Sequence, residues 1–216
     1  MAKPRQGAWK KMKRLARYLV GCLELEWWFG NIEEWELHKI DVFVDSDWAG
    51  CLKTRKSTSG GVVCLGGVGV KSWASTQATI ATSSGEAEYY AIAKGAAEGL
   101  GMKAILKDLG VESSVSVYTD STAAKGMGSR TGLGKMRHLE VKMLWIQEAV
   151  GRGVITLRKV DGKLNPADIL TKPKGRYEIG EQLGRIGAQL VGKGRADNLE
   201  VGACYWKGRW FLRRWW

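Results

Sequence analysis

The hydrophobic and polar positions of the chain alternate with two different periods, which predict strands and helices. Residues 39–46 read as a strand, because Ile40, Val42 and Val44 fall on one side of it. The polar loop "LKTRKSTSGG" leads to a second strand at 62–65, and "GGVG" turns that strand into a third at about 70–74, as in a hairpin. The segments "SVSVYTD" and "VITLRKV" predict two more strands.

The longest helical pattern begins after Ser83 and ends at Gly110, a residue type that commonly follows the last helical turn. Its buried face is predicted to consist of Ile92, Ala96, Leu100 and, after a drift, Ile105 and Leu109. Further helices are predicted over residues 8–28, over about 137–149 and, as a short helix, from Pro166. Three strands in hairpin order, followed by strands that alternate with helices, predict an α/β fold with helices packed on a mixed sheet.

Composition and charge narrow the class of partner. The chain has 216 residues and a formal net charge of +12, which favours a polyanion such as nucleic acid. An anionic membrane is less favoured, since no basic helix has a clean apolar face. The four cysteines form no CxxC pair, which argues against a disulfide framework or a zinc site and for a reducing compartment. Glu24 and Glu26 interrupt the apolar N-terminal stretch, so we expect neither a signal peptide nor a membrane span, and an intracellular protein of the cytoplasm or nucleus.

The chain changes character after Pro173. Residues 174–198 are rich in glycine and charge, with at most one amphipathic helix near 178–191, and the chain ends in "ACYWKGRWFLRRWW". Interleaved Trp, Lys and Arg fit a surface for single-stranded nucleic acid, but no periodicity places these tryptophans on one face, so a poorly ordered tail or a strand that docks on another partner is favoured. We therefore predict three regions: a basic helical segment at 1–36, a main domain at 37–173 and a C-terminal extension at 174–216.

Carboxylates mark the ends of two predicted strands. If these strands are parallel neighbours joined by the long helix, Asp45 and Asp120 lie side by side at the carboxyl edge of the sheet, where open α/β sheets place their sites. Glu88 lies four residues before core-facing Ile92 and therefore points inward. Its neighbour Glu86 has a structural role in a capping box that begins at Ser83.

Asp168, in "NPADILTKP", supplies a fourth carboxylate at a helix start after the last strand. Carboxylates that converge repel each other unless a cation is bound, and Mg²⁺ prefers such oxygens while keeping waters that a phosphate can replace. Two such ions about 4 Å apart can activate a water and stabilise a leaving oxygen. Carboxylates that bind metal ions, in a chain whose basic surface can bind a polyanion, thus predict an enzyme that cleaves a nucleic-acid backbone.

The motifs "FVDSDWAG", "SSGEAEYYAI", "VYTDS" and "NPADILTKP", in this order, resemble the ribonuclease H domain of copia-type LTR retrotransposon polyproteins. So do "RKSTSGGVVCLGG" and "SWASTQATIATSS", and the resemblance extends from about Trp9 to Pro173. The segment "WKKMKRLARYLVG" is similar to the linker that joins reverse transcriptase to ribonuclease H in such polyproteins.

The resemblance implies a ribonuclease H-like fold, with a five-stranded sheet of three antiparallel and two parallel strands. It implies an endonuclease that cuts the RNA strand of RNA–DNA hybrids with two Mg²⁺ ions, for which Mn²⁺ can substitute, and the reverse transcriptase portion of the same polyprotein as a partner. The catalytic metal ligands fall on Asp45, Glu88, Asp120 and Asp168. Asp47 takes a polar position beside the first ligand, and "VDGKLNPAD" lacks the His found in cellular members of the fold, so histidine-assisted product release is not implied.

Several alternatives stay open. Candidate nucleic-acid contacts are Lys53, Arg55, Lys56 and Ser121, although the basic loop can equally be solvated. A transposase or integrase of the same fold is disfavoured, because its Glu comes last in the chain. A catalytically inactive, retroelement-derived module that binds nucleic acid by charge is the main alternative function. His38 and His138 are expected at the surface, away from any nucleophile.

Overall fold

The computed structural model describes residues 6–21, 24–30, 32–132 and 144–191, and its framework is a five-stranded sheet. The strands in chain order are β1 (Glu24–Trp27), β2 (Lys39–Ser46), β3 (Thr58–Leu65), β4 (Val68–Thr76), β5 (Ser114–Thr119), β6 (Ile155–Lys159) and β7 (Ala188–Val191). The helices are α1 (Gln6–Gly21), α2 (Ser84–Asp108), α3 (Thr122–Gly128), α4 (Trp145–Gly151) and α5 (Arg176–Arg185). Short 3₁₀ helices span Glu34–Glu36, Gly162–Leu164 and Pro166–Leu170.

The five strands of the main sheet have the order β4-β3-β2-β5-β6. β2, β3 and β4 pair antiparallel, whereas β5 pairs parallel with β2 and with β6. The β3–β4 turn contains Gly66 and Gly67, both with positive φ, which a two-residue hairpin turn of this kind requires. The sequence-based prediction of a mixed sheet with three antiparallel and two parallel strands is confirmed, and this is the ribonuclease H-like arrangement.

Parallel pairing of β2 and β5 brings their carboxyl ends to one edge. Val42 lies opposite Val117, and Phe43 lies opposite Tyr118, with the two rings stacked at 4.8 Å between centroids. The strand neighbours expected from the sequence are thus present, and the residues that follow them, Asp45 in β2 and Asp120 after β5, reach the same edge. This register determines where the site forms.

Helix α2 crosses one face of the sheet at close range because two of its core-facing residues are glycines. A Cβ on Gly95 would lie 2.3 Å from Val44, and a Cβ on Gly99 would lie 2.7 Å from Val115. The predicted face is right for Ile92 and Ala96, which are fully buried, and Leu100 is partly buried against the core. The prediction is wrong towards the end of the helix. Ile105 and Leu109, which were expected to be buried, are 56% and 73% exposed, and Leu106 is buried instead, at 7% exposed. The helix keeps its 3.6-residue period without a drift, so the buried face continues through Gly95, Gly99 and Leu106. The prediction followed the large apolar residues and therefore passed over the two glycines.

The other face of the antiparallel half is covered by β7 and the chain around it. β7 pairs antiparallel with β1 in a separate two-stranded sheet. Ile186 and Ala188 pack with Val62 and Cys64 of β3 in a second core cluster. Because β3 is covered on both faces, almost all of its residues are buried.

Two elements near the N-terminus differ from the sequence-based prediction. A single helix was expected over residues 8–28, but α1 ends at Gly21 and the chain resumes as the strand β1. Glu24, Leu25, Glu26 and Trp27 are four consecutive residues of a strand that pairs with β7, and this distant pairing overrides the helical pattern. None of the helices in the described ranges is long and apolar enough to cross a membrane.

Elements after β5 agree in part with the prediction. The chain after Asp120 was expected to turn, and it forms the helix α3, with the Ser121 side chain accepting a hydrogen bond from the Ala124 N–H at the N-cap. Of the helix predicted at 137–149, the described part begins at Trp145, and residues 133–143 with His138 lie outside the described ranges. The short helix at Pro166 is present as a 3₁₀ helix. The Trp-rich end beyond Val191 also lies outside them, and the division into three regions stays a prediction.

Candidate metal centre at the carboxyl edge of the sheet

Three of the four predicted carboxylates converge at the edge where β2 and β5 end. Asp45, Glu88 and Asp120 each offer an oxygen, and these oxygens lie within 4.8 Å of one another. Asp45 comes from the end of β2, Asp120 follows β5, and Glu88 comes from the second turn of α2. Asp45 is 1% exposed and Glu88 8%. The site thus brings three acidic side chains together, two of them in a place from which most water is excluded.

Glu88 is the least neutralised member of this group. Its Oε1 accepts a hydrogen bond from the Ser46 N–H at 3.1 Å. Its Oε2 is buried and has no hydrogen-bond partner. Burial, with the charges of Asp45 and then Asp120, raises the pKa of the Glu88 carboxyl to about 8. A buried oxygen without a partner is costly, and a divalent cation would supply the missing contact. The donor set and the orphaned oxygen therefore fit such an ion.

Asp120 lies beside Gly162, at the start of the segment that carries the fourth carboxylate. A Cβ on Gly162 would come within 2.9 Å of Asp120 Oδ2, so a side chain there would have to push the Asp120 carboxylate aside. Burial first, and then the charge of Asp45, raises the pKa of Asp120. Asp120 and Glu88 thus both resist ionisation when the three carboxylates share the site.

Asp168 lies next to this group and has a different environment. Its two oxygens accept from lysines: Lys172 Nζ lies 2.7 Å from Oδ1 and Lys174 Nζ lies 2.6 Å from Oδ2. Burial alone would raise the pKa of Asp168, but the hydrogen bonds from these two lysines lower it below its usual range. Lys172 also reaches Asp45, with Nζ 3.3 Å from Asp45 Oδ2.

The segment that carries Asp168 is fixed to β2 by side chains. The buried Asn165 donates from Nδ2 to the Val44 carbonyl at 2.8 Å, and its Oδ1 accepts from the Ala167 N–H at 3.2 Å. The Thr171 hydroxyl donates to Asp45 Oδ2. These contacts place the 3₁₀ helix with Asp168 directly beside the end of β2.

The sequence-based separation of Glu86 from Glu88 agrees with their surroundings. The Ser83 side chain accepts from the Glu86 N–H, as expected for the N-cap of α2. The Glu86 carboxylate accepts from the N–H and hydroxyl of Thr82, each at 2.7 Å, and from the Tyr90 hydroxyl at 2.7 Å. Glu86 is therefore satisfied by protein donors and is not part of the group of three.

Asp47 also lies outside that group. One of its oxygens accepts a hydrogen bond from the Thr58 N–H, so the side chain closes the β2–β3 loop. In this loop Lys53 and Arg55 are exposed and Lys56 is half-buried. His38 is exposed, and its ring Nδ1 is hydrogen-bonded to the Glu112 carbonyl, away from the carboxylates.

Sequence reasoning missed the polar side chains that support the site. Lys172, Lys174, Thr171 and Asn165 were not singled out, although Lys172 stands four residues after Asp168, a spacing that pairs opposite charges on a helix. Gln77 was also missed: it is buried and donates to the Ser59 hydroxyl at 2.9 Å and the Ala87 carbonyl at 2.8 Å. It links the sheet to the start of α2, and no local pattern identifies such a long-range contact.

Known proteins similar to this chain agree with the resemblance seen in the motifs. No family model matches it. The chain is 31% identical over 185 residues to the "Retrovirus-related Pol polyprotein from transposon TNT 1-94" of Nicotiana tabacum, covering 83% of the chain and 14% of the polyprotein. It is 29% identical over 195 residues to the "Retrovirus-related Pol polyprotein from transposon RE2" of Arabidopsis thaliana, covering 88% of the chain and 13% of the polyprotein.

Among solved structures, the chain is similar to LC11-RNase H1 isolated from compost, with a TM-score of 0.49 and 19% identity over 62% of this chain and 92% of that chain. A second structure of LC11-RNase H1, in complex with an RNA/DNA hybrid, gives a TM-score of 0.47 and 20% identity over 61% of this chain and 92% of that one. The polyprotein homologues confirm the resemblance to copia-type retrotransposon polyproteins, of whose length the chain spans only a small part.

Proposed function

From its homology to a segment of retrovirus-related Pol polyproteins, we propose that the chain is a metal-dependent ribonuclease H that hydrolyses the RNA strand of an RNA–DNA hybrid. One observation supports this most strongly: the buried carboxylates of Asp45 and Glu88 converge with the half-buried Asp120 at the end of a parallel strand pair, and one buried oxygen of Glu88 has no partner. In a chain of net charge +12, such a group is suited to a site that approaches a phosphate backbone.

The proposed metal ligands are Asp45, Glu88, Asp120 and Asp168. Two Mg²⁺ ions bound there, or Mn²⁺ in their place, would supply an activated water and stabilise the leaving oxygen of the phosphodiester. The Ser46 N–H fixes Glu88, and the Thr171 hydroxyl fixes Asp45. These bonds orient the carboxylates before any substrate arrives, which saves reorganisation during the reaction.

The proposed substrate contacts lie on both sides of this edge. Lys53, Arg55 and Lys56 belong to the loop that follows Asp45, and their charges are suited to phosphates. Ser121 directly follows Asp120, and its oxygen accepts from the Ala124 N–H, so its O–H can still donate. Selection of RNA would depend on contacts to the 2′-hydroxyl. The longer polyprotein, including its reverse transcriptase portion, is the proposed partner.

The deciding experiment is a cleavage assay on a labelled RNA–DNA hybrid and, in parallel, on double-stranded DNA. The RNA strand should be cut with Mg²⁺ and not with EDTA, and the DNA duplex should stay intact. Asp45→Asn should abolish cutting, whereas Asp47→Asn, two residues away and outside the carboxylate group, is the matched control that should keep it. Equal cutting of the DNA duplex, or cutting in EDTA, would refute the proposal. A folded wild-type protein that binds the hybrid without cutting it would support the inactive binding module.

A further inference from the structure

The Lys172 ammonium lies between two of the proposed metal ligands. Its Nζ is 2.7 Å from Asp168 Oδ1, 3.3 Å from Asp45 Oδ2 and 3.4 Å from Asp45 Oδ1. The Asp45 side chain is 1% exposed, whereas the Lys172 side chain is 44% exposed. The ammonium thus enters from the solvent side and reaches a carboxylate that is otherwise closed off from water.

The four carboxylates therefore form two groups that share Asp45. The first group consists of Asp45, Glu88 and Asp120, whose oxygens lie within 4.8 Å of one another. The second group is Asp45 with Asp168, and Lys172 bridges it. Two cation positions about 4 Å apart with a shared carboxylate are what two-ion catalysis needs. One position has an unsatisfied ligand oxygen on Glu88, and the other already holds a positive charge from the protein.

We propose that Lys172 is a positioning residue that competes with a divalent cation for the place between Asp45 and Asp168. Its ammonium holds the two carboxylates together until an ion binds there, and the ion must displace it. The proposal rests on the proposed function, since it takes these carboxylates as metal ligands. The flexible four-carbon stem and the half-exposed position of Lys172 allow the ammonium to leave without a change in the backbone.

Lys174 offers a matched control. Its Nζ contacts Asp168 Oδ2 at 2.6 Å and Glu178 at 3.5 Å, and within the described part of the chain it forms no ion pair with Asp45. Removing either lysine removes one positive charge beside Asp168, so the long-range electrostatic effect is the same. Only Lys172 bridges the two carboxylates, so only its removal vacates the bridging position.

The test measures binding of Mn²⁺ alone, by electron paramagnetic resonance, to the full chain without nucleic acid. Lys172→Met should bind Mn²⁺ about tenfold more tightly than wild type, because no charged hydrogen bonds must be broken first. Lys174→Met should gain less, and Lys172→Arg, which keeps the charge, should gain nothing. In EDTA the Tm of Lys172→Met should fall by several degrees, since Asp45 and Asp168 then repel each other, and Mn²⁺ should raise it by more than it raises the wild-type Tm.

Three results would overturn the proposal: unchanged or weaker Mn²⁺ binding by Lys172→Met, an equal gain by Lys174→Met, or no Mn²⁺ binding by any form. If Lys172→Met does not fold, Lys172→Gln tests the same prediction with a side chain that can still donate hydrogen bonds. The experiments distinguish a failure of the Lys172 proposal from a failure of the ribonuclease proposal. If the wild type cuts hybrids and Lys172→Met binds Mn²⁺ no more tightly than wild type, only the role of Lys172 is contradicted. If Lys172→Met binds Mn²⁺ more tightly but the wild type cuts no hybrid, only the ribonuclease function is contradicted.

Discussion

Glu88 and Asp168 are both proposed ligands of one metal centre, yet the protein treats their charges in opposite ways. Glu88 is buried on α2 with an unpartnered oxygen, and its pKa is raised to about 8. Asp168 lies between two lysines, and its pKa is lowered. Ionisation of Glu88 is therefore unfavourable in the folded protein, whereas the charge of Asp168 is neutralised by the two lysines. We call these two surroundings the Glu88 side and the Asp168 side. Removing one carboxylate or the other should change stability in opposite directions.

The largest expected effect is on the Glu88 side. Glu88→Gln and Asp120→Asn should each lower hybrid cleavage by more than about 100-fold, since each removes a proposed metal ligand. In EDTA both variants should melt at a higher temperature than wild type, because the folded wild type must either keep a carboxyl of this group protonated or bear the repulsion among the three. The measurements are cleavage rates with Mg²⁺ and Tm in EDTA.

Glu86→Gln is the control for Glu88→Gln, on the same helix two residues away. Its amide oxygen can still accept from Thr82 and its NH₂ can donate to the Tyr90 hydroxyl, so most activity should remain. An inactive Glu86→Gln beside an active Glu88→Gln would mean that the roles of the two acids are reversed.

The Asp168 side should give a smaller loss of activity and the opposite change in stability. Asp168→Asn should lower cleavage by roughly 10- to 100-fold. In EDTA it should lower the Tm, since Lys172 and Lys174 lose their shared ionic partner. A higher Tm for Asp168→Asn, as for Glu88→Gln, would show that the lysines do not neutralise this side.

The pH dependence of stability should also distinguish the two sides. The Glu88 pKa is raised from 4.5 to about 8, so between these values the folded state binds more protons than the unfolded state. Its contribution to stability is therefore largest below about pH 4.5 and is lost as the pH rises to about 8. Asp168 acts oppositely, since its lowered pKa favours folding above the unfolded-state value and that gain is lost in acid. In EDTA, Glu88→Gln should flatten the fall in Tm between pH 5 and 8, and an unchanged slope would contradict a protonated Glu88.

The smallest effect on chemistry is expected from residues beyond both sides. Deleting residues 199–216, which lie outside the described ranges, should leave cleavage at saturating substrate almost unchanged, because all four carboxylates lie before Pro173. If the Trp-rich end contacts nucleic acid, affinity should weaken and its salt dependence should become shallower, by about 0.7 to 0.9 log units per log unit of salt for each lost phosphate contact. Binding curves at several salt concentrations measure this. An unchanged slope would exclude the tail as a contact.

Much of the fold and site could be predicted because the signals are local. Alternation predicted β2, a capping residue predicted the start of α2, and the position of Glu88 before Ile92 predicted that it points inward. The burial of Glu86, which is 2% exposed, was not expected from the capping role. What could not be predicted depends on distant partners. β1 looked like the end of a helix because its partner β7 stands near the other end of the described chain, and the buried stripe of α2 was misplaced because glycines carry no apolar signal. The pairing of Lys172 with Asp168 had a local signal in their spacing, but its contact with Asp45, 127 residues away in the chain, had none.

The pairing of β1 with β7 affects how the protein reaches its fold. β7 follows the whole five-stranded sheet in the chain, and its first residue Ala188, together with Ile186 just before it, covers Val62 and Cys64 on the face opposite α2. During synthesis this apolar face is therefore complete before its cover has been made, and contacts so distant in sequence form slowly. A fragment limited to residues 37–173 would keep every proposed metal ligand and lose this cover permanently. We expect such a fragment to aggregate, which makes the strands outside the predicted main domain a requirement for obtaining it as a stable protein.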